Sequence, residues 1–151
     1  MLKEGDRAPD FTALDSAGQK ISLKDFKGKD VVLFFFPKAN TPGCTMETCD
    51  FRDQHSAIRK KGAVVLGMSA DSPKAQSNFA GKYGVSFPLL CDEDKQILKA
   101  YGVWKEKSLY GRKFMGIERT TVVIGKDGKI RKIFSKVKVK GHVEAVLQAL
   151  G

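Results

Sequence analysis

Residues 34–52 read FFFPKANTPGCTMETCDFR, and the change of character inside that stretch decides the fold. The apolar run Val31 to Phe36 shows no polar alternation, as expected of a strand covered on both faces. Pro37 stops the run. Thr41-Pro42-Gly43 then opens a helix. Thr41 is a favourable N-cap, because its hydroxyl can accept a free backbone N–H. Pro42 falls at the first helical position, where its missing N–H costs nothing. Two of the chain's three cysteines, Cys44 and Cys49, lie in the first two turns of that helix. Cys44 thus sits where a loop from the carboxyl end of a strand enters its helix, the place where α/β folds put their sites.

That position has a chemical meaning. The orphan N–H groups of a helix's first turn and the helix dipole favour negative charge, so the thiol at Cys44 is expected to ionise below its reference of about 8.5. Ionisation alone is a small effect. A fall from ~8.5 to ~6 raises the thiolate fraction at pH 7 from roughly 3% to roughly 90%, about 30-fold, far less than enzymes achieve. If Cys44 is catalytic, other groups must stabilise the charge that moves in the transition state. Cys49 lies ~7.5 Å along an ideal helix from Cys44 and ~140° around it. The Cα atoms would be ~8.7 Å apart, beyond the ~7 Å limit for a disulfide. The two can pair only if the first turns unwind, which suggests a redox cycle in two conformations.

Working outward, 151 residues imply one domain over residues 1–151 with a substantial core. The start, MLKEGDRAPD, has no apolar h-region, and Val31 to Phe36 is too short to span a membrane. A soluble, cytoplasmic protein with no membrane association is expected, and there three cysteines are reactive or buried rather than structural disulfides. The net charge is +10. Seven basic residues fall between Lys126 and Lys140. They read as a strand edge whose lysines block edge pairing, not as a nucleic-acid surface, because no stacking aromatics accompany them.

Asp15-Ser16-Ala17-Gly18 between Phe11–Leu14 and Gln19–Leu23 signals a hairpin. Leu23 to Gly28 reads as a short turn or helix. The first long helix is predicted over Pro42–Lys61, with Cys44, Thr48, Phe51, His55 and Ile58 on its inward face. Ala63–Ser69 is a second core strand. Asp71-Ser72-Pro73 caps a helix running to Tyr83. A strand at Ser86–Leu90, a helix at Asp94–Tyr101 and a long irregular segment from Gly102 to Gly116 follow. Arg119–Ile124 and Lys129–Phe134 form a hairpin around Lys126-Asp127-Gly128, and His142–Leu150 is the last helix. The sum is an α/β fold.

Pro37, Thr41 and Cys44, spaced Pro-x-x-x-Thr-x-x-Cys, resemble the active-site signature of the peroxiredoxins. The longer run FFPKANTPGCTMETC resembles the bacterioferritin comigratory protein (PrxQ) subfamily, whose mark is a second cysteine five residues after the first. The likeness extends to GDRAPDFTALD, FPLLCDED, YGVW and ERTTVVIGKDGKI. Two departures are Ala39, near which many relatives carry an acid, and Cys91, where a small polar residue is commoner.

The resemblance implies a thioredoxin-like fold, with a central mixed sheet flanked by helices and an N-terminal β-hairpin extension. It also implies a cysteine peroxidase with no metal, haem or flavin. Cys44 would be the peroxidatic thiolate and Cys49 the resolving thiol. Thr41, the Cys44 N–H and Arg119 would donate to the peroxide oxygens, and Pro37 would shield the sulfur. The partners implied are a hydroperoxide and a thioredoxin-type reductant, with a monomer favoured over a dimer. Several residues keep a second reading. Glu47 could bond Arg119 or sit on an exposed face, and Arg119 could pair with Glu118 at the surface. Cys91 could be a buried small residue or a second resolving thiol, and Trp104 is packing or a pocket wall. His55 is ~16 Å along the helix from Cys44 and reads as packing. A thiol–disulfide oxidoreductase is the nearest rival, but it normally uses Cys-x-x-Cys. The cysteine and histidine spacings fit no zinc pattern.

Overall fold

The computed structural model describes residues 2–151. In chain order its elements are β1 (Thr12–Asp15), β2 (Lys20–Ser22), a 3-10 turn (Leu23–Phe26), β3 (Asp30–Phe35), α1 (Pro42–Asp53) and α2 (His55–Lys60). Then come β4 (Ala63–Ser69), α3 (Pro73–Tyr83), β5 (Leu89–Cys91), α4 (Gln96–Ala100), β6 (Trp104–Leu109), β7 (Arg112–Ile117), β8 (Thr120–Ile124), β9 (Ile130–Phe134) and α5 (His142–Ala149). The main sheet has the order β2-β1-β5-β4-β3-β8-β9. Strand β3 runs parallel to β4 and antiparallel to β8, and all six of its residues are buried. The N-terminal hairpin is joined to this sheet, because β1 pairs antiparallel with β5.

Side chains alternate across a strand, so β3 feeds two cores. Val31, Leu33 and Phe35 join a cluster with Leu98, Tyr101 and Phe11 on one face. Val32, Phe34 and Phe36 join Phe51, Ile58, Phe79 and Val146, from α1, α2, α3 and α5, on the other. Gly67 of β4 seats α1 on that second face. A Cβ there would lie 2.7 Å from Leu89 and 2.8 Å from the Phe34 ring. The space left by the missing side chain lets Phe34 stack on Phe51 at 4.5 Å between centroids and 19° between planes. Phe51 is fully buried, and burying such a ring is worth about 1.5–3 kcal/mol. This contact fixes α1, and therefore Cys44, against the sheet.

Three expectations need correction. The helix predicted over Pro42–Lys61 is two helices, because Gln54 leaves helical geometry at φ −100° and ψ 6°. The turn re-aims α2, burying Ile58 and bringing His55 Nδ1 to 2.7 Å from the Ser86 hydroxyl. The strand expected at Ser86–Leu90 starts at Leu89. Pro88 has no N–H for the ladder, although its carbonyl still accepts the Gly67 N–H at 3.1 Å. The segment expected to be irregular is a second, two-stranded sheet in which β6 pairs antiparallel with β7 from Trp104↔Ile117 to Leu109↔Arg112. Its turn places Tyr110 and Gly111 at φ 52° and 78°, the two positive values that the tightest hairpins demand. The basic run falls mainly on and after β9, the outermost strand of the main sheet. Within the run Arg131 pairs with Asp30 at 3.0 Å.

Candidate active site

Cys44 is the third residue of α1 and only 1% exposed. The start of this helix has no side-chain cap. The expected Thr41 cap does not form, because the Thr41 hydroxyl donates to the Lys38 carbonyl at 2.7 Å. The first-turn N–H groups, which have no partner inside a helix, are thereby left without a side-chain cap. Thr41 also lacks a spare proton for a ligand in this arrangement, and its oxygen lone pairs remain.

Arg119 closes the site from β8. It immediately precedes that strand, and its carbonyl accepts the Val137 N–H at 3.0 Å. Its guanidinium forks: Nη1 donates to Glu47 Oε1 at 2.7 Å, and Nη2 donates to Cys44 Sγ at 3.3 Å. Such charge-assisted bonds are the strong ones. Gly43 makes the approach possible, since a Cβ there would lie 3.1 Å from Nη2. The surface pairing of Arg119 with Glu118 is not found, because Glu118 pairs with Lys105. Of the two readings of Glu47, the buried partner of Arg119 is the one observed. It is 0% exposed, and its Oε2 has no hydrogen-bond partner.

A loop network holds the approach to Cys44. Asp71 Oδ2 accepts the Ala39 N–H at 2.8 Å and the Ser69 hydroxyl at 2.6 Å. The Ser69 oxygen in turn accepts from Gln76 Nε2 at 3.0 Å. This anchors the Pro37–Thr41 loop to β4 and α3, a set of residues that sequence reading missed. Pro37 lines a cavity of about 370 Å³ together with Trp104, Lys107, Phe114, Met115 and Ile117. Trp104 is therefore a pocket wall.

The other cysteines differ. Cys49 is half-buried and unbonded on α1. Cys91 is buried, and its thiol is pushed up to about 11, chiefly by burial and then by Glu93, Asp71 and Asp15. That favours its reading as a small buried residue.

Two ionisable groups around Arg119 are shifted in opposite senses. Burial pushes the Glu47 carboxyl up to about 7, against the pull of Arg119. Burial, aided by Arg119, pushes His142 down to about 4. His142 Nε2 lies 2.7 Å from the Thr121 hydroxyl. Glu47 binds its proton more tightly in the folded chain than at its ordinary 4.5. Its contribution to stability is therefore full below about pH 4.5 and lost as pH rises through about 7. His142 acts oppositely, with a contribution full above 6.5 and lost as pH falls through about 4. Glu47→Gln should remove the first slope and leave the second. Urea midpoints at about pH 5 and about pH 7.5 should show wild type losing roughly 1–3 kcal/mol relative to the variant over that interval. A constant difference would mean that Glu47 does not titrate there.

The sequence profile of the AhpC/TSA family matches residues 4–133. Peroxiredoxin Bcp of Bacillus subtilis is 44% identical over 149 residues, covering 99% of this chain and 95% of that one. The solved structure of the Xanthomonas campestris bacterioferritin comigratory protein superposes with a TM-score of 0.89 at 41% identity, covering 93% of this chain and 89% of that one. A cysteine-to-serine variant of Xylella fastidiosa PrxQ gives a TM-score of 0.94 at 36% identity, covering 99% and 96%. The fold is thus the thioredoxin-like fold of the peroxiredoxins. With its buried cysteine at a helix start beneath a forked arginine, the chain belongs to the AhpC/TSA family and is a peroxiredoxin of the Bcp/PrxQ kind, a thiol-dependent peroxidase.

Proposed function

We propose that the peroxidase reaction runs through Cys44 and is resolved by Cys49. The observation that carries this reading is the bond from Arg119 Nη2 to Cys44 Sγ at 3.3 Å. A guanidinium donating to a buried sulfur stabilises negative charge there, and it stands ready for charge that develops on oxygen.

In the first step the Cys44 thiolate attacks the terminal oxygen of a hydroperoxide. The S–O bond forms and the O–O bond breaks, giving a sulfenic acid and an alkoxide, or hydroxide, that takes up a proton. Arg119 and the free N–H groups of the first turn donate to the peroxide oxygens. Thr41, whose proton is held by Lys38, accepts the peroxide O–H and orients it. Pro37 covers the site beside the cavity. In the second step the start of α1 unwinds. The Cys49 thiol then attacks the sulfenic sulfur, releasing water and forming a Cys44–Cys49 disulfide. A thioredoxin-type dithiol then takes the bond by exchange and returns both thiols.

Two features lower the cost of the unwinding. A missing side-chain cap forgoes about 1 kcal/mol, and Gly43 in the first turn costs about 1 kcal/mol relative to Ala. Both sulfurs lie on one chain, so a monomer suffices, and a cytoplasmic setting keeps the thiols reduced. The Xanthomonas campestris protein is described with alkyl peroxide reduction activity, which supports organic hydroperoxides as substrates beside hydrogen peroxide. No helix among the described residues is long and apolar enough to cross a membrane.

The test is coupled turnover. With thioredoxin, thioredoxin reductase and NADPH, NADPH should be consumed only when peroxide is added. Reduction of insulin without peroxide dependence would instead favour a thiol–disulfide oxidoreductase.

A further inference from the structure

The loop that leads into α1 depends on one side chain from the turn between β4 and α3. Residues 37–41 belong to no helix or strand. Inside this loop the Thr41 hydroxyl donates to the Lys38 carbonyl at 2.7 Å, and Asn40 sits at φ 64°. Among the described residues, a single hydrogen bond ties the loop to residues beyond α1. It runs from the Ala39 N–H to Asp71 Oδ2 at 2.8 Å. The carboxylate is itself braced from behind. The Ser69 hydroxyl donates to the same oxygen at 2.6 Å and accepts from Gln76 Nε2 at 3.0 Å. Gln76 Nε2 also donates to the Leu90 carbonyl of β5 at 2.8 Å. Ser69 and Gln76 are fully buried, so the brace is part of the core. What it holds is weaker, because α1 begins without a side-chain cap and with Gly43 in its first turn.

We propose that Asp71 is a positioning residue of the peroxidase, a latch that holds residues 37–41 and the start of α1 in the peroxide-ready form and releases them when α1 unwinds. This rests on the reading that Cys44 is oxidised and Cys49 resolves it. Pro37 and Thr41 stand at the two ends of the latched loop, and Ala39 between them packs in the same apolar cluster as Cys44. Asp71 reaches the site only through the Ala39 N–H. A bond made in the wound form and lost in the unwound one shifts that two-state balance by its own strength. For a hydrogen bond to a carboxylate the shift is about 10-fold or more. The latch therefore acts in opposite senses on the two steps. It speeds attack on peroxide by holding the geometry, and it slows disulfide formation by opposing the unwinding that Cys49 needs.

The experiment follows wild type, Asp71→Ala and Asp71→Asn through a single oxidation by hydrogen peroxide. Rapid acid quench, alkylation and mass spectrometry give the thiol, sulfenic acid and disulfide fractions with time. The first step scales with peroxide concentration and the second does not, which separates them. Asp71→Ala should slow oxidation about 10-fold, the cost of a misplacement of less than about 1 Å. It should quicken disulfide formation about 5- to 10-fold. Damage to the fold alone would not move the two rates in opposite directions. Asp71→Asn should keep both rates within about twofold, because both bonds fall on Oδ2 and an amide oxygen there accepts them. Ser69→Ala, which leaves Asp71 unbraced, should move both rates in the same directions as Asp71→Ala but by less, and it decides the matter if Asp71→Ala does not fold. In Asp71→Ala, oxidation within about twofold of wild type, or disulfide formation unchanged or slowed, would overturn the latch. So would an Asp71→Asn variant that behaves like Asp71→Ala, or a Ser69→Ala variant with both rates unchanged or both slowed. Failure of the underlying reading looks different, because wild type would then keep its Cys44 thiol after peroxide or bond it to a cysteine other than Cys49.

Discussion

Arg119→Ala should slow oxidation of Cys44 by hydrogen peroxide about 10²- to 10³-fold, the range seen when one preorganised donor to a developing oxyanion is removed. Two losses combine. The sulfur loses the Nη2 donor at 3.3 Å, and the proposed first step loses a guanidinium donor to the peroxide oxygens. Glu47 is then left buried with both carboxylate oxygens unpaired, where only Oε2 was before. An unpaired buried charge is costly, so the carboxyl of the variant should stay protonated at neutral pH, which limits the harm to folding. Arg119→Lys should not restore the rate, because a single ammonium cannot bond Glu47 and Cys44 as the fork does. Stopped-flow rates under single-turnover conditions decide the matter. A near-normal second-order rate for Arg119→Ala would remove the residue from the chemistry.

Cys49→Ser should leave that first oxidation intact and abolish thioredoxin-linked turnover. The two sulfurs lie on one intact helix, five residues apart, and an ideal helix keeps their Cα atoms ~8.7 Å apart. Bond formation therefore waits on the opening of α1. In the variant the sulfenic acid has no partner to meet, and excess peroxide should drive it to the sulfinic acid. A mass gain of two oxygens on the Cys44 peptide would report this. Retained steady-state turnover would pass the resolving role to Cys91. The burial of that thiol and its raised ionisation weigh against this.

What could be read from the residues was the part fixed by local rules. The unbroken apolar run before Pro37 gave β3 to within a residue, and Pro42-Gly43 after Thr41 gave the start of α1. Arg119 came from the family resemblance alone, because it lies 75 residues from Cys44 in the chain and nothing local marks it. The β6–β7 hairpin escaped because most of it is exposed, so burial imposed no alternation on Trp104–Ile117. Its one local signal was Tyr110-Gly111, with an aromatic at a positive φ where Asn or Asp is usual. Missing the hairpin meant missing the wall it gives the cavity beside Pro37. The role of Asp71 was equally hidden, since a carboxylate that holds a backbone N–H 32 residues away leaves no sequence pattern. Thr41 shows the opposite failure. Its residue type and position both suit a cap, and the tertiary path of the Lys38–Thr41 turn claimed its proton instead.

The most direct measurement is a thiol count with peptide mapping before and after one equivalent of hydrogen peroxide on the fully reduced chain. Free thiols should fall from three to one, with Cys44 joined to Cys49 inside a single chain and Cys91 still alkylatable after unfolding. Three surviving thiols, or a bond from Cys44 to Cys91, would contradict a peroxide-reactive sulfur at 44 resolved by its neighbour on the same helix.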